Sequence, residues 1–119
     1  MTSILIPESV ISIGWSAFAS NQLTSVTLPA SVITIEGYAF SNNQLTSIVI
    51  PAGVKSIDAG VFANNPLEDV TIGANVNVVD TTSYDIGNVR NWIDFLIYYE
   101  TTGKKAGMYI YKNNKWGKK

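Results

Sequence analysis

The sequence predicts a β-rich solenoid in which short coils stack along one axis, followed by a C-terminal segment of a different kind. Three observations favour this fold class: a 22-residue repeat, strand-type alternation within each copy, and loss of the repeat after Val79. The chain has 119 residues, 46% of them hydrophobic, which is enough for one domain with an apolar core.

Prolines at constant spacing mark the repeat. Pro7, Pro29 and Pro51 lie 22 residues apart, and Gly73 occupies the next equivalent position. The positions that match at fixed offsets are Val10/Val32/Val54, Ile13/Ile35/Ile57, Ala17/Ala39/Val61, Phe18/Phe40/Phe62, Asn21/Asn43/Asn65, Leu23/Leu45/Leu67, Val26/Ile48/Val70 and Leu28/Ile50/Ile72. The chain therefore contains three complete copies of one unit, and a partial strand precedes them.

Each copy predicts one strand of a short parallel sheet. In the second strand Val26 and Leu28 are expected to point inward, while Ser25 and Thr27 point outward. The following proline ends the strand, because it has no N–H for the ladder. Strands about 4.8 Å apart are predicted at residues 4–6, 26–28, 48–50 and 70–72, and the other apolar columns fill the interior.

Two columns of identical residues have a structural interpretation. The asparagine column at positions 21, 43 and 65 is predicted to hydrogen-bond backbone groups of the adjoining coil at a turn. The phenylalanine column at positions 18, 40 and 62 is predicted to form a core spine. One copy buries too little apolar surface to fold alone, so stability is expected only from the stack.

The pattern fails in the C-terminal segment. We divide the chain into a solenoid at residues 1–79 and a connector with a capping helix and hairpin at residues 80–119. Asn88 is expected to cap the helix, and Gly103 to end it before Lys104 and Lys105. The residues predicted on its buried face are Val89, Trp92, Ile93, Leu96 and Ile97. The hairpin is predicted to begin with a strand that has Met108, Ile110 and Lys112 on one side and Tyr109 and Tyr111 on the other. Its turn is predicted at Asn113–Asn114, and the chain then returns through Lys115 and Trp116.

Charge also divides the chain. One base and seven acids precede Arg90, whereas seven bases and two acids lie from Arg90 onward. The chain has no cysteine and no histidine, which excludes disulfides, a thiol nucleophile and every histidine-dependent site. We therefore predict no catalytic residues, no metal site and no cofactor, so the chain is not expected to be an enzyme.

The repeat resembles a known family. Its pattern Pro-x-x-Val-x-x-Ile-x-x-x-Ala-Phe-x-x-Asn-x-Leu-x-x-Val-x-Ile-Pro is similar to the BspA-like, or Treponema pallidum-type, leucine-rich repeats of bacterial surface proteins, which usually have cysteine where this chain has asparagine. The resemblance covers residues 3 to about 79. It implies a right-handed leucine-rich-repeat coil, an extracellular or cell-surface location, and adhesion to host matrix proteins or to other bacterial surface proteins.

The predicted ligand-binding face is the outer side of the sheet, where short side chains offer a flat and adaptable surface to a protein. Its predicted residues are Ser25, Thr27, Ser47, Val49, Asp69 and Thr71. Trp15 and Tyr38 join this set, because they are aromatic where the other copies have small residues. The plainer alternative is that these outward side chains only solvate the sheet.

A second hypothesis is glycan or cell-wall binding through the basic tail, with Tyr109, Tyr111 and Trp116 as stacking platforms. These three residues also give the tail a likeness to aromatic cell-wall-binding or glucan-binding repeats. Separately, its stretch from Tyr99 to Tyr111 is similar to the segment that closes BspA-like repeat arrays. The alternative to this hypothesis is that the tail binds no glycan and only caps the solenoid. A structural spacer is the third alternative, and neither nucleic-acid binding nor membrane insertion is expected.

The first strand begins in the second half of a copy, so its outer edge is predicted to be open. We expect either a longer natural array or self-association through this N-terminal edge.

Overall fold

The computed structural model describes residues 2–58, 60–79, 90–112 and 115–118. Its first part is a β-solenoid of four strand pairs, which make about three full turns. One strand of each pair belongs to a first row: β1 (Ser3–Leu5), β3 (Ser25–Thr27), β5 (Ser47–Val49) and β7 (Asp69–Ile72). The other belongs to a second row: β2 (Ser12–Ile13), β4 (Thr34–Ile35), β6 (Ser56–Asp58) and β8 (Asn77–Val79).

The first row confirms the predicted parallel strands, each beginning one residue earlier than expected. β1 pairs with β3 and β5 pairs with β7, and equivalent residues of the 22-residue repeat face each other. β3 lies beside β5, and just before these strands the Gln44 N–H donates to the Leu23 carbonyl at 2.7 Å. The alternation is as predicted, since Ile48 is buried between exposed Ser47 and Val49.

The second row is a parallel sheet that the sequence reading missed, having assigned these positions only to the interior. Its strands run in the order β2-β4-β6-β8, with Ile13, Ile35 and Ile57 in register and buried. Their outward neighbours are Ser12, Thr34 and Ser56. Two-residue strands give too little alternation to distinguish a strand from a turn.

The core lies between the two rows. The phenylalanine spine is confirmed, since Phe40 lies between Phe18 and Phe62 with ring centroids 5.5 and 5.6 Å away and nearly parallel rings. Members of the first coil are more exposed than their equivalents: Ala17 is exposed, whereas Ala39 is fully buried. No described coil covers the N-terminal end of the column.

The asparagine column also has its predicted structural role. The Asn43 side chain accepts N–H groups of the preceding coil through Oδ1, and through Nδ2 it donates to carbonyls of that coil and of its own. Asn65 repeats this arrangement one coil later. Among the described residues, the Asn21 side chain makes a single hydrogen bond, to the Ala19 carbonyl at 3.2 Å.

The C-terminal part contains helix α1 (Arg90–Thr101) and strands β9 (Gly107–Lys112) and β10 (Lys115–Lys118). The helix ends as predicted: Gly103 adopts a φ of 81°, its N–H donates to the Glu100 carbonyl, and the Lys104 N–H donates to the Tyr99 carbonyl. Phe95, Leu96 and Tyr99 are buried. Of the predicted helix face, Leu96 is therefore confirmed, Phe95 and Tyr99 were missed, and the side chains of the other four residues lie outside the described part, as does Asn88.

β9 and β10 form an antiparallel hairpin with Lys112 opposite Lys115, and the predicted turn residues lie outside the described part. The hairpin does not stand apart from the solenoid. β9 pairs antiparallel with β7, so the first row continues through β5, β7, β9 and β10. The first row therefore continues beyond the last coil with strands that have no counterpart in the repeat.

Candidate functional site

We name the outward side of the first row and its hairpin extension the front face. Two columns of side chains run across it: Ser3, Ser25, Ser47 and Asp69, and beside them Leu5, Thr27, Val49 and Thr71. The structure thus brings together six of the eight predicted ligand-binding residues: Ser25, Thr27, Ser47, Val49, Asp69 and Thr71. Val49 is 61% exposed, which is a large exposure for an apolar side chain on a strand that lies between β3 and β7.

Strand β9 enlarges this face. Its Met108 lies opposite Thr71, and its Ile110 lies opposite Asp69. Directly opposed residues of an antiparallel pair point to the same side, so both side chains join the front face. Val49, Thr71 and Met108 then form one row across three neighbouring strands, and Met108 is 40% exposed.

Sequence reasoning missed Met108 and Ile110 as parts of this face. Their alternation with Tyr109 and Tyr111 was visible and predicted a strand. Nothing in that alternation shows which edge the strand joins, since the pairing connects residues about forty positions apart.

The charges of the front face lie toward its hairpin end. Alternation places Lys112 on the same side as Ile110, and Lys115 lies opposite Lys112. Both lysines are exposed, while Asp69 is partly buried two strands away from Lys115. The face therefore changes from uncharged side chains at β1 and β3 to a basic edge at β10.

Trp15 and Tyr38 do not lie with the other six predicted residues. Trp15 lines a groove on the second sheet, together with Thr34 and Ser56. Its ring centroid is 5.8 Å from that of Tyr38, which is half-buried and has a φ of 57°. A bulky residue in the left-handed region is uncommon. The structure thus divides the predicted site between two surfaces.

The three residues predicted as an alternative glycan site line the inner side of the hairpin. Tyr109 is fully buried, Trp116 is 6% exposed, and Tyr111 is half-buried against Trp116 with ring centroids 5.4 Å apart. Phe95 is within 5.3 Å, centroid to centroid, of both Tyr109 and Trp116. A sugar-stacking platform needs an exposed ring face, which Tyr109 and Trp116 do not offer.

Helix α1 is fastened to the last coil by Tyr99. Its hydroxyl donates to the Gly73 carbonyl at 2.7 Å and accepts the Val76 N–H at 3.1 Å. Burial raises the pKa of this hydroxyl, and the hydrogen bond from Val76 opposes the shift without cancelling it. The Tyr99 hydroxyl therefore attaches the helix to the last coil. It does not line the groove beside Trp15.

The described residues hold no cluster of three or more His, Cys, Asp or Glu side chains that could bind a metal ion. In the same part of the chain, no helix is long and apolar enough to cross a membrane.

Comparison with known proteins agrees with the coil geometry. No curated protein and no solved structure matches the chain. The family model described as "BspA type Leucine rich repeat region (6 copies)" matches residues 1–91, which is more than three quarters of the chain. Leucine-rich repeats of this kind are typically binding modules without catalytic activity. With its 22-residue coils, asparagine column and phenylalanine spine, the chain belongs to the BspA-type leucine-rich repeat family.

Proposed function

We propose that this chain is a protein-binding, adhesive module of a bacterial cell surface and that it binds through the front face. The observation that carries the proposal is the row of Val49, Thr71 and Met108, in which two exposed apolar side chains flank a hydroxyl across three neighbouring strands. Exposed apolar groups within a polar surface are typical of interaction sites. The family supports a surface repeat module.

The chemistry of the face suits a protein ligand with an extended segment. Half of its side chains are Ser, Thr or Val, which lose little conformational entropy when a ligand orders them. The lysines of the hairpin offer partners for acidic groups at one end. The ligand class we infer is a host extracellular matrix protein or another bacterial surface protein.

The dimensions of the face predict weak binding by one chain. Six strands about 4.8 Å apart, with about three residues each, span roughly 30 Å by 10 Å. A stable protein interface buries about 800 Å² on each partner, more than twice this area. Tight adhesion would therefore depend on several modules that act together.

The proposal is tested by binding of the intact chain to immobilised fibronectin and fibrinogen at physiological salt. We expect saturable binding that Val49→Lys, Met108→Lys and Thr27→Lys each weaken. Ile11→Lys is the matched control, because Ile11 is also 61% exposed but lies beside the second sheet. An equal loss of binding in Ile11→Lys would show that the added positive charge weakens binding wherever it is placed. Absence of binding at high micromolar concentration would favour the glycan or spacer hypotheses.

We also propose that α1 and the β9–β10 hairpin cap the array. Tyr99 satisfies two backbone groups next to the last coil, and the cluster of Phe95, Tyr109 and Trp116 is continuous with the solenoid core. Deletion of residues 80–119 is expected to unfold the solenoid, as circular dichroism would show. A deletion variant that stays folded but loses retention on cell-wall polysaccharide would support the glycan hypothesis instead.

The N-terminal edge remains a proposed site of self-association. β1 and β2 each have a described strand on one side only, and a cavity of about 250 Å³ lined by Ile4, Ile6, Val10 and Phe18 opens at this end of the core. The edge of β1 carries no charged side chain, whereas β10 at the other end has Lys115 and Lys118. Lysines on an edge strand discourage pairing with another chain.

A further inference from the structure

The first coil of the solenoid has an unpaired strand edge next to a partly uncovered apolar core. No described strand lies on the outer side of β1, and the cavity at this end of the core is lined by Ile4, Val10 and Phe18 among others. Phe18 is only partly buried, whereas its equivalents Phe40 and Phe62 in the next two coils are fully buried. This end of the core therefore lacks the cover that the following coils have.

The opposite end of the solenoid is closed by the C-terminal segment. Phe95 and Tyr99 of helix α1 are fully buried in the same core cluster as the coils. The outer strand at this end is β10, whose Lys115 and Lys118 are exposed. Lysines on an edge strand oppose pairing with another chain. Head-to-tail stacking of copies is therefore disfavoured, and the surface of a second copy that matches β1 is its own β1.

Charge does not oppose the approach of two β1 edges. Glu8 is the single charged residue before Glu36 in the sequence, and it follows the C-terminal end of β1. In an antiparallel pair of β1 strands, the two Glu8 residues therefore lie at opposite ends of the pair. The strand itself carries only uncharged side chains. A contact about a two-fold axis needs such self-complementarity, because the same patch is used by both copies.

The backbone of β1 determines how two such edges pair. The Thr2 carbonyl accepts the Thr24 N–H from the β3 side, so by alternation the N–H and C=O groups of Ser3 and Leu5 face the open edge. An antiparallel arrangement with Ser3 of one copy opposite Leu5 of the other pairs all of these groups. It also places Ile4 opposite Ile4 of the second copy. Ile4 is the less exposed residue of the strand and lines the apolar cavity, so the two isoleucines meet on the core side.

We propose that two copies join head to head in this arrangement, with a two-fold axis at Ile4, so that their front faces form one surface. This inference rests on the proposed function of the front face. Opposed residues of an antiparallel pair point to the same side, so Ser3 and Leu5 of both copies stay on the front face. The column that contains Val49 in one copy then continues as the column that contains Ser47 in the other.

The joined face reduces the shortage of area that limits a single copy. A front face of six strands offers roughly 300 Å², so two joined faces offer roughly 600 Å². A standard protein interface buries about 800 Å² on each partner. The second copy thus extends a binding surface that one chain provides only in part.

Disulfide cross-linking tests the arrangement, since the chain has no cysteine of its own. In Ile4→Cys, the two thiols occupy a non-hydrogen-bonded pair with Cα atoms about 4.5 Å apart, which is within the range of a disulfide. We expect mild oxidation to convert Ile4→Cys into a covalent dimer. Val49→Cys is the matched control, because position 49 is exposed but lies two strands away from β1, and this variant should stay monomeric.

A mixture of Ser3→Cys and Leu5→Cys tests the register at two exposed positions. These residues are directly opposed with Cα atoms about 5.5 Å apart, so a mixed disulfide is expected. In either variant alone the thiols are offset by two residues, which puts their Cα atoms roughly 8–9 Å apart and too far for a disulfide. Labelling one variant with ¹⁵N lets mass spectrometry separate mixed from unmixed dimers. If Ile4→Cys fails to fold, this pair of variants decides.

Binding to immobilised fibronectin tests the joined face. The control is a dimer coupled through Lys118→Cys with a flexible bismaleimide, which has the same valence without joined front faces. The covalent Ile4→Cys dimer should bind about threefold more tightly than this control, or better. The control coupling leaves β1 free, so both dimers are compared at concentrations where the uncoupled chain is monomeric.

The inference is overturned if Val49→Cys cross-links as readily as Ile4→Cys, if neither Ile4→Cys nor the mixed pair cross-links, or if the two covalent dimers bind equally. A monomeric chain that still binds fibronectin, with binding weakened by Val49→Lys, would overturn the pairing and leave the proposed function of the front face intact.

Discussion

Asn43 Oδ1 accepts the backbone N–H of Leu23, 20 positions earlier in the chain, at 2.9 Å. The same oxygen accepts the Asn21 N–H at 2.9 Å, while Nδ2 donates to the Phe18 and Phe40 carbonyls. One buried amide thus joins two coils at a turn where the backbone groups have no strand partner. The repeat of asparagine every 22 residues follows from this geometry.

Replacing Asn43 by alanine should therefore cost far more than replacing Asn21. Asn43→Ala removes the acceptor of the Leu23 and Asn21 N–H groups and a donor to the Phe18 carbonyl, while the Phe40 carbonyl keeps Asn65 Nδ2 as its donor. The expected cost is about 1–3 kcal/mol for each unpaired group that water cannot reach. Asn21→Ala removes one bond at a partly buried site, and about 1 kcal/mol or less is expected. Urea denaturation of both variants measures the difference, and equal losses would contradict the assigned role.

Tyr99→Phe tests the attachment of α1 to the last coil. It removes the hydroxyl that joins Gly73 and Val76, and the free energy of unfolding should fall by about 1–3 kcal/mol. Tyr98→Phe is the matched control, because the Tyr98 hydroxyl makes no hydrogen bond with any described residue. A loss in Tyr98→Phe as large as in Tyr99→Phe would show that the hydrogen bonds are not the cause.

The raised pKa of Tyr99 predicts a loss of stability at alkaline pH. The unfolded chain releases this proton near pH 10, whereas burial makes the folded state hold it to higher pH. The contribution of this proton to stability is therefore complete below about pH 10 and is lost as the pH rises through the folded-state pKa. Unfolding midpoints measured from about pH 8 to about pH 11 should fall less steeply in Tyr99→Phe than in the parent chain.

Self-association through β1 predicts a dimer that depends on concentration. The Thr2 carbonyl accepts the Thr24 N–H from the β3 side, so by alternation the Ser3 N–H faces the open edge. Ser3→Pro removes this donor without loss of an internal ladder bond and should weaken the dimer, while Ser3→Ala should not. Sedimentation equilibrium gives the answer, and a monomer at every concentration would refute the proposal.

The sequence by itself determined the solenoid, because the same residue types recur at the same positions of every coil and favour the same local structure each time. Pro29 ends a strand, Val26 faces inward and Asn43 closes a turn for reasons that hold again 22 residues later. A contact between adjacent coils is therefore implied by the period alone. Six of the predicted ligand-binding residues could be placed on one face in this way, since alternation fixes the side to which each strand residue points.

The remaining features were decided by the tertiary structure. Pairing of β9 with β7, burial of Phe95 and Tyr99, and the position of Trp15 over the second sheet depend on contacts between segments that do not repeat. A short amphipathic strand or helix can dock on more than one edge with the same pattern of apolar residues. Only the shape of the last coil and the aromatic packing around Tyr109 select one arrangement, because burial free energy depends on which surfaces meet and not on the spacing of residues along the chain.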